Sequence, residues 1–136
     1  MTQIFTSFWK NPLLGEVDAV MVSTSRGRPR WALPFRYRRF DALAPSDEPW
    51  ALEDTEWFVA AYVGQLERLG ADASVSELER IGAGRTTVAL CWEKPGEFCH
   101  RRLLADFIEH KAGIEVPELR PGDLPQRVDV ATPRLF

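Results

Sequence analysis

Residues 86–92 read Thr-Thr-Val-Ala-Leu-Cys-Trp, with apolar or β-branched side chains at successive positions. Successive side chains of a strand point to opposite faces, so this segment is apolar on both. Such a strand must lie inside a sheet that is covered on both sides, as parallel sheets are. No other segment constrains the architecture as strongly. Residues 17–23 (Val-Asp-Ala-Val-Met-Val-Ser) suggest a second buried strand, and the alternation over residues 3–9, with Ile4 and Phe8, a first one. Strands interleaved with helical patterns predict an α/β fold, a three-layer sandwich with a mostly parallel, Rossmann-like central sheet.

Three helices are expected. Residues 54–69 open on Asp54 as a cap and carry Phe58, Tyr62, Leu66 and Leu69 at helical spacing, with Gly70 as the left-handed residue beyond the end. Ser74-Val75-Ser76-Glu77 has the form of a capping box before a short helix ending near Gly82. Residues 99–111 form the last helix, closed by Gly113. Pro95-Gly96 predicts the turn between the central strand and that helix. Residues 24–50 contain Pro29, Pro34, Pro45 and Pro49 and predict a long loop. Trp31, Phe35, Tyr37, Phe40 and Trp50 argue that this loop is ordered. The expected organisation is a single α/β domain over residues 1–113. Residues 114–136, with four prolines, form an extended tail packed on that domain, with an edge strand at 128–130.

A chain of 136 residues, 45% of them hydrophobic, builds one core without disulfide staples. Two cysteines and the lack of a secretory pattern predict a reducing, cytoplasmic setting. No run approaches the ~18 apolar residues of a membrane helix, so no membrane partner is expected. The net charge of −3 excludes a generally basic surface. The charge is unevenly placed, however. Residues 26–39 hold Arg26, Arg28, Arg30, Arg36, Arg38 and Arg39 without one acid, leaving −9 on the rest of the chain. Arg26-Gly27-Arg28-Pro29-Arg30-Trp31 sets guanidinium forks on a turn beside an aromatic ring, suited to phosphates and bases. The plainer reading is a solvated loop whose arginines pair with acids elsewhere.

The start of the last helix is the other chemical signal. On a wheel of about 100° per residue, its apolar stripe is Leu103, Leu104, Phe107 and Ile108. His100 falls near the centre of that stripe, Arg101 on its edge and Arg102 opposite, in solvent. A first helical turn offers unpaired N–H groups and the positive dipole end, an anion site in which the Cys99 thiolate is also favoured. Three readings of Cys91 and Cys99 stay open beside a structural one. Zinc fits poorly, because Cys91, Cys99 and His100 lack the usual spacing and a fourth ligand. A persulfide or phosphocysteine loop lacks its closing Arg, whose places hold Glu97 and Ala105. A Cys91–Cys99 redox pair is geometrically allowed.

The stretch from Val88 through Cys91, Glu93, Cys99, His100 and Arg101 to Asp106 resembles the C-terminal signature of the domain of unknown function 488 family. That signature is an apolar strand, a Cys, an acid two residues on, and Cys-His-Arg opening a helix. Arg26 and Pro29 resemble the family's early Asp-x-Arg-x-x-Pro motif, with Thr24 at the Asp position. The resemblance implies an α/β sandwich with a cleft where the two motifs meet; it implies no reaction. Ligands of open α/β sheets bind beyond the strand carboxyl ends, where both motifs fall.

The expectation is therefore a cationic cleft for a phosphate-bearing small molecule or nucleic acid. Ser25, Arg26, Arg28, Pro29, Arg30, Trp31, Glu93 and Arg101 would line it, and His100, Cys99 and Cys91 would be the catalytic candidates. Trp31 or Tyr37 would stack on a base. No metal site and no particular cofactor is expected, and a second copy of the chain stays open as a partner. The rival readings are a non-catalytic DNA- or protein-interaction module and a thiol redox or persulfide protein.

Overall fold

The computed structural model describes residues 2–46, 55–92 and 100–127. Four strands, β1 (Ile4–Phe8), β2 (Val20–Ser23), β3 (Tyr37–Arg39) and β4 (Thr87–Cys91), form one sheet in the order β1-β4-β2-β3. Every pairing is parallel. β4 lies inside the sheet, and Val88, Ala89, Leu90 and Cys91 are fully buried, as two-faced apolarity requires.

The three helices, α1 (Thr55–Leu69), α2 (Ala71–Ile81) and α3 (His100–Ala112), pack together over one face. Their Phe58, Tyr62, Leu66, Leu78, Leu104 and Ile108 share a core with Ile4, Val22 and Ala89 of the sheet. The pleat sends Phe5, Met21, Val88 and Leu90 to the other face. There they meet Trp9, Val17, Phe35 and Leu119 from coil segments, Leu14 from the short 3-10 turn Pro12–Gly15 and Tyr37 from β3. The chain is thus an α/β sandwich on a wholly parallel sheet whose layers are helix, sheet and coil. The parallel step from β2 to β3 runs through coil, not through a helix.

Two local expectations need correction. Ser74 does not cap a helix; it lies inside α2, and its Oγ donates back to the Gly70 carbonyl at 2.8 Å. Serine inside a helix commonly makes this bond, so the capping-box pattern was met by chance. Gly70 at φ 92°, ψ 138° is the cap of α2 and also closes α1, its N–H meeting the Leu66 carbonyl at 2.8 Å. Only glycine adopts this backbone readily. The second correction is Arg102, which is not in solvent. Its Nη1 donates to Thr6 Oγ1 at 2.9 Å and to the Val116 carbonyl at 3.0 Å.

The wheel could not foresee this, because the partner is the returning tail. Pro117 and Leu119 hydrogen-bond across Thr6 on the outer edge of β1, burying Val116 and Leu119. Further on, Asp18 N–H donates to the Pro125 carbonyl. The expected Asp54 cap, the Pro95-Gly96 turn and the 128–130 strand lie outside the described residues.

Candidate functional site

All four strands point the same way, so their carboxyl ends share one rim, at Phe8, Ser23, Arg39 and Cys91. The chain leaving β2 is buried through Thr24 and Ser25 and emerges at Arg26. Each buried residue there is tied down. Thr24 N–H and Oγ1 both donate to the Leu90 carbonyl, at 3.1 and 3.0 Å. Ser25 Oγ accepts from Trp9 Nε1 at 3.0 Å. The Arg26 carbonyl accepts from Trp92 Nε1 at 3.1 Å.

His100 closes this arrangement from the helical side. It is 5% exposed, and its Nε2 donates to the Thr24 carbonyl at 2.8 Å. The Tyr62 ring meets it edge-on at 5.3 Å. Burial pushes the imidazole down to about 4; the Thr24 bond opposes this and the Arg101 charge adds to it. At neutral pH His100 is an uncharged donor that pins α3 to the β2 loop. Burial also raises the Tyr62 phenol, which donates to the Leu43 carbonyl at 2.6 Å.

Arg101 turns the other way. Its guanidinium is 2% exposed and grips Glu118 through Nε at 3.0 Å and Nη2 at 2.8 Å. Nη1 approaches Cys91 Sγ at 3.1 Å. Glu118 also accepts from Thr6 Oγ1 at 2.6 Å. The sequence placed Arg101 among the ligand-binding groups; the structure commits it to the tail and to the strand sulfur. Cys91 is disulfide-bonded at the end of β4. Cys99 and Glu93, both candidate site residues, lie outside the described residues.

The other candidates are presented outward. Arg26, Arg28, Arg30 and Trp31 are exposed and Pro29 is half-buried. Arg26 Nη1 donates to the Ser46 carbonyl at 2.8 Å. A hollow of about 480 Å³ lies between residues 25–27 and Arg39, Ser46 and Gln65. Arg39 pairs with Asp41 at 2.9 Å, whereas Arg28 and Arg30 have no carboxylate partner among the described residues.

Sequence reading missed two members of this surface. Trp31 is 39% exposed, its ring 5.9 Å from Trp92 and 4.8 Å below Lys10 Nζ. Lys10 lies two residues past β1 and Trp92 one past β4, so one rule would have found both: the first two residues past each parallel strand belong to the shared rim. Behind Trp31 the aromatic series continues through Trp92 to Trp9, 5.7 Å away, and on to Tyr37 and Phe35. The structure therefore sets Lys10, Trp31, Trp92 and the Arg26 backbone on one surface, with His100 buried at the root of the same loop, and commits Arg101 to the tail. Among the described residues, no group of three or more His, Cys, Asp or Glu could hold a metal ion. No described helix is long and apolar enough to cross a membrane.

Comparison with curated proteins and with solved structures finds no match. The family model described as the Active DUF488-N3 subclade matches residues 20–112, from β2 to the end of α3. The matched span holds the β2 loop, β4 and His100 at the start of α3, and it covers more than half of the chain. The chain belongs to the DUF488 family.

Proposed function

We propose that this protein binds a phosphate-bearing ligand, a nucleotide or single-stranded nucleic acid, at the carboxyl rim of its sheet. One observation carries the reading. The exposed Trp31 indole sits beneath the Lys10 ammonium and against Trp92, on the same loop as Arg28 and Arg30, which no described carboxylate neutralises. Bases stack on such rings, and guanidinium forks take phosphates. The loop is fixed at its root by Trp9, Leu90 and His100, so little ordering opposes binding. His100 serves here as a positioning residue: a neutral buried imidazole already committed to a carbonyl is poorly placed to take a proton from a ligand.

Titration of the tryptophan fluorescence with oligothymidylate at several salt concentrations tests the proposal. With Lys10, Arg28 and Arg30 each on one phosphate, log K falls against log salt with a slope near −2, about −0.7 per single-strand contact. Arg28→Gln brings the slope toward zero by about that amount, and Trp31→Ala weakens binding by about 1–3 kcal/mol per stacked base. A flat salt dependence with unchanged Trp31→Ala affinity refutes it.

A second reading, thiol redox, is favoured by the 3.1 Å approach of Arg101 Nη1 to the disulfide-bonded Cys91 sulfur. A cation at that distance stabilises the thiolate released when a dithiol reductant opens the bond. Arg101→Gln then raises the Cys91 thiol pKa and shifts the reduction potential against a dithiothreitol couple. An unchanged potential removes this reading and leaves the first intact.

A further inference from the structure

At the opposite end of the sheet the coil layer leaves a groove of about 770 Å³. It lies beside the chain entering β2 (Val17, Ala19, Val20), the chain entering β3 (residues 33–36) and Arg85 before β4. This is the amino rim, to which the loop that carries Trp31 supplies its later residues, 33–36. Its apolar lining includes the buried Leu14, Val17 and Met21 and the half-buried Leu33, Phe35 and Tyr37. The walls are held in place. A Cβ on Gly15 would meet the Pro34 ring at 3.0 Å, so glycine lets the β3 approach lie against the Pro12–Gly15 turn. The tail fastens the other side, where Arg127 N–H donates to the Glu16 carbonyl.

Four arginines, Arg36, Arg38, Arg85 and Arg127, complete the lining. Arg85 gives one Nη to Asp18, and Arg127 gives one to the Gly15 carbonyl at 2.9 Å. A guanidinium carries five N–H donors, so both keep donors for another acceptor. Arg36 and Arg38 have no carboxylate partner among the described residues. The lining thus pairs an apolar, partly aromatic floor with an excess of positive charge, in a volume typical of small-molecule sites. An apolar patch with a cationic rim calls for a ligand that is apolar at one end and anionic at the other.

We propose that this groove binds a small organic carboxylate with an apolar aryl or acyl body, the body on Leu33, Phe35 and Tyr37 and the carboxylate among the arginines. The inference does not rest on the nucleic-acid reading, since none of Lys10, Arg28, Arg30 and Trp31 lines this groove.

The test uses the full chain and two probes of the same shape, 2-naphthoate and the uncharged 2-naphthamide. Calorimetry should show saturable one-site binding of 2-naphthoate, with 2-naphthamide about tenfold weaker or more, the usual worth of a charge-assisted contact. Amide resonances of Ala19, Val20 and Leu33 should shift on titration. The double variant Arg36→Gln, Arg38→Gln should weaken 2-naphthoate about tenfold and leave 2-naphthamide unchanged. Arg127→Gln serves as a second variant should the first fold poorly. Trp31→Ala should leave 2-naphthoate affinity unaltered. Equal binding of the two probes, absence of saturation, no effect of the arginine variants, or loss of binding in Trp31→Ala each overturns the proposal. The oligothymidylate titration is indifferent to all four outcomes.

Discussion

The two faces of the sheet are built from different materials. The helical face is covered by α1, α2 and α3, and its core is largely aliphatic and closed, with Val22, Leu43, Leu66, Leu78, Ala89 and Ile108 fully buried. The coil face is covered by turns, the residue 24–36 loop and the tail, and it is aromatic: Trp9 is buried against Phe35, Tyr37 and Trp92. Regular helices satisfy their own backbone and offer side chains only, so they pack densely. Coil cannot close over a sheet so evenly. It spends large rings and polar anchors to do so, and it leaves a groove at one rim and an exposed tryptophan at the other. The first face supplies most of the closed core, and the second carries both of the proposed binding sites.

That division can be broken most directly by truncation. Leu104 is 1% exposed and sits among residues of all three helices. Leu104→Ala should lower unfolding free energy in urea by about 2–5 kcal/mol. The half-buried Leu33 on the coil face should cost clearly less when cut to Ala, since a partly open site leaves no cavity. Equal losses would show that the coil face is packed as a core.

Next in size is the tie between the faces, His100. Its folded pKa of about 4 lies below the ordinary 6.5, through burial first. Above pH 6.5 neither state binds the proton, and the contribution of the neutral imidazole is fully present. Between 6.5 and 4 the unfolded chain takes up the proton and the folded chain does not, so stability falls as pH falls. The drop amounts to roughly 3 kcal/mol if fully expressed. His100→Gln should remove that part of the slope in urea titrations at several pH values. An unchanged slope would mean that the imidazole charges freely in the folded state.

The Arg101–Glu118 grip should be worth slightly less. Breaking a buried pair by removing one partner costs about 3–5 kcal/mol, but Glu118 is 25% exposed and can recover solvation. Arg101→Met should therefore cost about 2–3 kcal/mol, discounted for that exposure. The double change with Glu118→Gln should recover part of the loss in a double-mutant cycle. Full additivity would show that tail and helix are not coupled through this pair.

Smallest for stability is Trp31→Ala, within about 0.5 kcal/mol, as expected for an exposed ring. Its effect should appear in ligand affinity instead. A large stability loss there would make the Trp31 cluster a piece of core and undo the contrast between the faces.

The buried central strand, the three helices and the inward position of His100 were legible in the sequence. These follow from local periodicity: residues 87–91 are apolar on both faces, and His100 shares a helical stripe with Leu104 and Ile108. Parallel direction then puts the segments after β2 and β4 on one rim without further information. Tertiary structure decided everything that depends on a partner distant in the chain. Arg101 and Arg102 looked like a ligand group and a solvent group, and both are held by a tail that begins after α3. β3, only three residues long, has too short a pattern to announce itself and exists because β2 offers an edge. Ser74 matched a capping signature, yet the helix starts earlier, at a glycine whose conformation no spacing rule records. Lys10 and Trp31 are distant in sequence, and only the common rim of parallel strands puts an ammonium over that indole. Periodicity reports which way a side chain faces; what it meets there depends on chain return, which no local window contains.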